Sequence, residues 1–419
     1  MKVGNNAFRV LKNISFERLG GTKEEFKALE IIKKEIEHYK NVELQVEEFE
    51  VDSYAIEKVE LSVVEPKNIK INATGFGMAS STNEEGVVGE FYYIENTNII
   101  KQLPLENKIV LVCQSLSYQV YEDLLNSKVK GIITTSGSIY DDLKNTDLEE
   151  RKLRERHYKL GKIPAVTIRM KDAEKLILSE PKMMKLVLIQ KETKALSHNL
   201  VATINGFKYP NEVICFTAHY DSVRFSTGAY DNGTGSVTIL ELLHYYAKKN
   251  PSRTLKFIWC GSEEMGLLGS HAFVNKHEDE LKNYKLCINV DMTGVVIGKD
   301  IAVCTSENSL VNFIDYLGKK EGFIISVSQG VYSSDSTPFA NKDVPAVSFA
   351  RIAPRGGAEI HSRKDILSLI KPLYLEKTIN FIEKFADEMI NSVYFPVPKT
   401  MPQNMKDDLD KYLGVKKNV

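Results

Sequence analysis

Val213-Ile214-Cys215-Phe216-Thr217-Ala218-His219-Tyr220-Asp221 runs from an apolar stretch straight into a histidine and an acid. The apolar part reads as a buried strand, which puts His219 at or just past its carboxyl end. Open parallel sheets bind ligands at that edge. Asp221, two residues on, shares a side with His219 and can accept its second ring N–H, fixing tautomer and basicity.

The same pattern recurs twice. Leu255-Lys256-Phe257-Ile258-Trp259-Cys260-Gly261-Ser262-Glu263-Glu264 is a strand running into paired acids, and Leu286-Cys287-Ile288-Asn289-Val290-Asp291 is a strand ending on one. Ahead of both, Tyr230-Asp231-Asn232-Gly233-Thr234-Gly235 sets an acid in a glycine-rich turn before an amphipathic helix, Ser236 to Lys248, where backbone can approach a metal centre closely. Ile360-His361-Ser362 supplies a second imidazole. His219, Asp231, Glu264, Asp291 and His361 form the ligand set that a two-metal hydrolytic site requires, because zinc-class ions about 3.5–4 Å apart can share one carboxylate and one water. Adjacent side chains in extended chain point different ways, so Glu264 is assigned to metal and Glu263 to proton transfer. A lone His-x-Asp or Glu-Glu pair is more often a cap or a solvated face. Shared placement after apolar strands is what favours chemistry here. His244, His271 and His277 fall in predicted helices and are set aside.

These segments carry a resemblance. Ala218-His219-Tyr220-Asp221-Ser222, Asp231-Asn232-Gly233, Ser262 to Ser270, Asn289-Val290-Asp291-Met292 and Ser334-Asp335 to Pro338-Phe339 are similar to the co-catalytic zinc aminopeptidases of the bacterial leucyl aminopeptidase type. The resemblance runs from about Asn199 to Asp365. It implies a zinc exopeptidase fold: α/β, with a mixed, mostly parallel sheet flanked by helices. It also implies two zinc ions per chain, with cobalt or manganese as substitutes. Asp231 would bridge them, His219 and Asp291 would complete one, and Glu264 and His361 the other. Glu263 falls on the general base and Asp221 on the acid behind the histidine. The family often has His after the Ser-Asp pair; Ser336 stands there, so Asp335 is given no catalytic role. In some members an upstream tyrosine stabilises the oxyanion; Tyr332 is the nearest match, and a packed or lining tyrosine is the alternative.

The implied activity is a metalloaminopeptidase that hydrolyses N-terminal residues from peptides with two zinc ions and a bridging water. A carboxypeptidase of the same fold is the alternative, with Arg351 and Arg355 able to bind a substrate carboxylate or simply to be solvated. A glutaminyl cyclase would use one zinc, and a non-catalytic binding protein would have lost ligands; all five are present.

The rest of the chain fits that reading. The 419 residues suggest two or three domains. A net charge of −1 argues against nucleic-acid or anionic-membrane partners, leaving a peptide as the expected one and the oligomeric state open. Five cysteines without a Cys-x-x-Cys pair read as buried thiols. With no apolar leader and no long apolar stretch, a cytoplasmic protein is expected. Thr22 to Tyr39 predicts an amphipathic helix. From Val42 onward strand-like runs alternate with turns and one charged helix, Asp142 to His157. Glu106 to Val112, Tyr121 to Ile133 and Lys162 to Ile168 resemble the protease-associated domain, a β-rich module commonly inserted in this family, where it is thought to cover or shape the cleft. The expected division is residues 1–41 with 195–395 as a discontinuous peptidase domain, 42–194 as the insert, and 396–419 as a C-terminal tail. A final helix is expected from Leu373 to Ile390.

Overall fold

The computed structural model describes residues 2–114, 116–142 and 148–414. Two compact units divide the chain: residues up to Val51 with those from Leu196 onward, and Asp52–Ala195.

In the first unit the central strands Arg253–Cys260, Tyr209–His219, Tyr284–Val290 and Ala346–Ile352 are parallel neighbours in that order. Lys299–Thr305 is antiparallel to Ala346–Ile352, and residues 200–204 are antiparallel to Arg253–Cys260. The sheet is mixed and mostly parallel, as expected. Ile214, Phe216 and Ala218 enter one apolar cluster while Val213 and Cys215 enter another. Alternate residues face opposite sides of a strand, so a strand covered on both sides is apolar at every position. That is why Val213 to Phe216 carries no polar residue. The first cluster is filled from the helices Val3–Ile14, Thr234–Tyr246 and Pro372–Asn391, and Phe216 stacks on Phe257 with ring centroids 4.7 Å apart.

Register brings the site together. Thr217 pairs with Asn289, two residues before Asp291, and His219 pairs with Cys260, just before the Glu263–Glu264 turn. Three segments distant in sequence therefore end at one level of the sheet.

The second unit has its own core. Val87–Ile94, Ile109–Val112, Gly131–Ser136 and Ala165–Arg169 run parallel, with the helix Tyr118–Asn126 between the second and third and Met170–Leu178 after the fourth. Parallel neighbours need a crossover, so this unit is α/β rather than purely β-rich.

Two expectations need correction, and two elements add to the reading. The runs Val42–Val51 and Val59–Val64 are parts of one strand, Glu43–Glu65, and its first residues pack with the first unit through Val42, Leu44 and Val46. The unit boundary thus falls inside a strand, where composition does not change. The charged helix from Asp142 to His157 is absent from the described part of that range, which holds Arg151–Lys152 as strand and only Glu155–Tyr158 as helix; residues 143–147 lie outside the described residues. The helix Val3–Ile14 was not anticipated, although Ala7, Val10, Leu11 and Ile14 recur at helical spacing and are all buried. Finally, the C-terminal tail, read as Pro-punctuated with a short charged helix, does hold the helix Gln403–Leu413, and its Met405 and Leu409, with Met401, are buried in the second cluster of the first unit. Four of the five cysteines are buried and all are free. No described helix is long and apolar enough to cross a membrane.

Because Leu409 is 2% exposed, Leu409→Ala should cost about 2–5 kcal/mol. Urea unfolding checks this; an unchanged midpoint would return the segment to a passive tail.

Candidate metal centre

His219 ends its strand almost fully buried. Its Nδ1 lies 3.3 Å from Asp221 Oδ1, and its Nε2 lies 3.2 Å from Asp231 Oδ1, 3.7 Å from Asp291 Oδ1 and 3.9 Å from Glu263 Oε2. On the other side, His361 Nε2 lies 3.2 Å from Asp231 Oδ2 and 3.1 Å from Glu264 Oε2. The two oxygens of Asp231 thus face different imidazoles. Three sets of ligand atoms lie within 4.8 Å of one another, His219–Asp231–Asp291, Asp231–Glu264–His361 and His219–Glu263–Glu264, and the first two share Asp231.

Glu263 and Glu264 follow Ser262, whose φ of 53° turns the chain sharply. Asp221 holds that turn: its Oδ1 accepts the Glu263 N–H at 3.1 Å and its Oδ2 the Glu264 N–H at 3.2 Å. One buried carboxylate therefore orients His219 and fixes both glutamates. Glu263 points toward His219 and Glu264 toward His361, so adjacent residues serve opposite halves of the site.

Two further residues set the site, and both escaped the sequence reading. Asn232 accepts from Gly235 N–H at 2.9 Å and Met292 N–H at 3.0 Å while donating to Val290 O at 2.9 Å, tying the Asp231 turn to the Asp291 strand end. Asp365 accepts the Tyr230 N–H at 2.7 Å and the Asp231 N–H at 3.0 Å. The only cue to it is an acid four residues after His361.

Charge decides what the site can hold. Burial pushes Glu263 well above the usual carboxylate range, and burial likewise raises Glu264. Asp231 is buried too, yet the bonds from His219 and His361 hold it below that range. Burial opposes protonation of His219, but Glu263 and the carboxylates around it raise its pKa well above normal; Glu264 does the same for His361. Glu264 Oε1 and Asp291 Oδ1 are buried with no hydrogen-bond partner. Buried acids with orphaned oxygens beside two imidazoles fit divalent cations of the zinc class, whose ligands are imidazole nitrogen and carboxylate oxygen.

Tyr332 has a buried hydroxyl without a hydrogen-bond partner, and burial together with Asp291 and Asp231 pushes its pKa up. Asp335 is fully buried and raised to about 6, chiefly by burial. Arg351 is committed elsewhere: its guanidinium bonds Asp300 and donates to Val295 O at 2.7 Å and Val296 O at 3.0 Å, while Arg355 is exposed. The histidines set aside do pack or pair locally, His244 with Tyr39 at 3.1 Å and His277 with Glu47 at 2.8 Å; His271 lies in the helix Leu268–Lys276.

Residues 199–386 match the profile of Peptidase family M28. That segment belongs to peptidase family M28. The Bacillus subtilis aminopeptidase YwaD is 30% identical over 262 residues, which are 58% of this chain and 55% of that protein, so the match spans about half of that relative's length. Carboxypeptidase Q of Bos taurus is 22% identical over 85% of this chain and 78% of its own. Among solved structures, a zinc aminopeptidase from Bacillus subtilis superposes with a TM-score of 0.77 at 22% identity, covering 94% of this chain and 97% of that one. An aminopeptidase from Aneurinibacillus does so with a TM-score of 0.72 at the same identity and coverage. These two likenesses confirm the fold, and the candidate ligands His219, Asp231, Glu264, Asp291 and His361 fall in the matched segment.

Around the M28 centre space is tight. A Cβ added at Gly235 would lie 2.2 Å from Val290 O and 2.3 Å from Asn232 Oδ1. Gly235→Ala should therefore destabilise by about 1–3 kcal/mol, against the roughly 0.5–1 kcal/mol that such a change gains in an unhindered helix. A higher melting temperature than the parent would contradict this packing.

Proposed function

We propose that the protein is a metalloaminopeptidase that removes N-terminal residues from peptides, with two zinc ions held by His219, Asp231 and Asp291 on one side and by Asp231, Glu264 and His361 on the other. The observation that carries this is the split of Asp231, one oxygen toward each imidazole. Bound zinc would polarise the scissile carbonyl and make water a stronger acid. Glu263, on the His219 side of the site but assigned to neither ion, takes a proton from the attacking water and returns it to the leaving nitrogen. Its raised affinity for protons, caused by burial first, suits a group that must carry one. The unpaired hydroxyl of Tyr332 is the donor available to the oxyanion.

The aminopeptidase reading is supported by the named relatives and by the engagement of Arg351 with Asp300, which leaves that arginine unsuited to a substrate carboxylate. The likeness to carboxypeptidase Q makes direction of cleavage the test. Unblocked short peptides should be shortened from the N-terminus, and N-acetylation should abolish turnover. Cleavage of acetylated peptides from the carboxyl end would transfer the protein to the carboxypeptidase reading. We further read the unit Asp52–Ala195 as a protease-associated module.

Saturated protein should contain two zinc ions per chain, and Asp231→Ala should weaken both; a stoichiometry of one by elemental analysis would end the shared-carboxylate reading. Glu263→Gln should keep both ions and lower kcat by about 10²–10⁴-fold. Loss of metal from that variant would exchange the roles of Glu263 and Glu264.

A further inference from the structure

Two buried ionisable side chains behind the ligand loops come from one short stretch near the start of the chain. Arg18 is fully buried, and its guanidinium donates only to backbone carbonyls: Ile14 at 3.0 Å and Phe16 at 3.2 Å on its own segment, and Tyr220, Thr227 and Gly228, the last at 2.7 Å, across the loop that links Asp221 to Asp231. Its backbone grips the same loop. The Arg18 N–H donates to Ser222 Oγ at 3.1 Å, and the Ser222 N–H donates to Arg18 O at 3.2 Å. Gly228 has φ of 54°, and a Cβ there would approach Arg18 Nη2 to 2.8 Å, so loop and guanidinium are fitted to each other.

Seven residues on, Glu25 is also fully buried. Its Oε2 accepts the Gly21 N–H at 2.7 Å, and its Oε1 accepts Ser197 Oγ at 2.8 Å and the Ser262 N–H at 2.9 Å. Three successive N–H groups, those of Ser262, Glu263 and Glu264, are therefore held by two buried carboxylates, Glu25 and Asp221.

We propose that Arg18 and Glu25 are positioning residues for the metal centre: Arg18 sets the path from Asp221 to Asp231, and Glu25 sets the turn that carries Glu263 and Glu264. The inference rests on the ligand set proposed above. A buried polar side chain is a costly way to fill space, and apolar side chains would fill it at less cost. What hydrogen-bonding groups add is direction. A guanidinium presents five N–H donors in a planar fork, enough to gather carbonyls from both segments, which a lysine amine cannot reproduce.

The test uses the full chain with Arg18→Lys and Glu25→Gln, each stripped of metal and titrated with Zn²⁺ against a chromogenic chelator, alongside circular dichroism, thermal melting, kcat and KM. Each variant should melt cooperatively, bind Zn²⁺ about 10- to 100-fold more weakly, and lose kcat by a similar factor. KM should move by less than about threefold, since neither side chain contacts substrate. Wild-type Zn²⁺ affinity and kcat in either folded variant would overturn its positioning role. If Arg18→Lys does not fold, Glu25→Gln decides, being isosteric and keeping an oxygen acceptor; failure of both to fold would assign the two residues to the scaffold and overturn the inference. A parent protein that binds no Zn²⁺ would instead sink the ligand set and leave the hydrogen-bond geometry untouched.

Discussion

Like charges held together out of water are the constraint on which the rest of this structure depends. Asp231, Glu263, Glu264 and Asp291 converge on a buried place with only two imidazoles as ion-pair partners among the described residues. Without a cation such a group favours protons on its histidines and glutamates, which is the direction in which their pKa values move. A divalent ion would replace those protons, which would link folding to metal binding at this place.

Holding that group requires a scaffold that tolerates its repulsion, and a parallel sheet supplies one. Residues at the carboxyl ends of neighbouring strands are fixed by main-chain bonds across the whole sheet, so His219 and Asp291 cannot drift apart without breaking pairs such as Thr217–Asn289. The loops that follow have no such ladder. Their N–H groups are taken instead by side chains: Asp365 at Asp231, Asn232 at Met292, and Asp221 at Glu263 and Glu264. Most of the polar groups buried around the centre are doing the work of a missing strand.

How much of this could be read from sequence follows from the same distinction. The strands leading to the site were legible because a strand covered on both faces shows itself as an unbroken apolar run, and Val213–Phe216 and Leu286–Ile288 are such runs. Of the candidate ligands, His219, Glu264 and Asp291 stood out because each follows such a run and Asp231 because it sits in a glycine-rich turn, while His361 had no such setting. Asn232, Asp365, Arg18 and Glu25 did not stand out, because a residue that bonds backbone 58 or more positions away leaves no local pattern. The division near Val51 was misplaced for a related reason: Glu43–Glu65 is a single strand, and periodicity does not record which core a strand faces. The terminal helix was underrated because its charges are frequent while its apolar residues, Met405 and Leu409, are few.

The order of segments along the chain has a physical consequence for assembly. Residues up to Val51 fold with those after Leu196, across an intervening unit that has its own core. Closing a loop of that length costs entropy that grows only slowly with its length, so the insertion is tolerable once both ends are held near each other. Here the ends are tied by more than the sheet: the contacts of Arg18 with Tyr220 and Gly228 and of Glu25 with Ser197 and Ser262 join the segment before the insert to the loops after it. Completion of the metal centre and closure of the discontinuous unit thus depend on the same hydrogen bonds. A chain in which the first segment has not docked would carry the candidate ligands, but the loops that present Asp231, Glu263 and Glu264 would lack the groups that aim them.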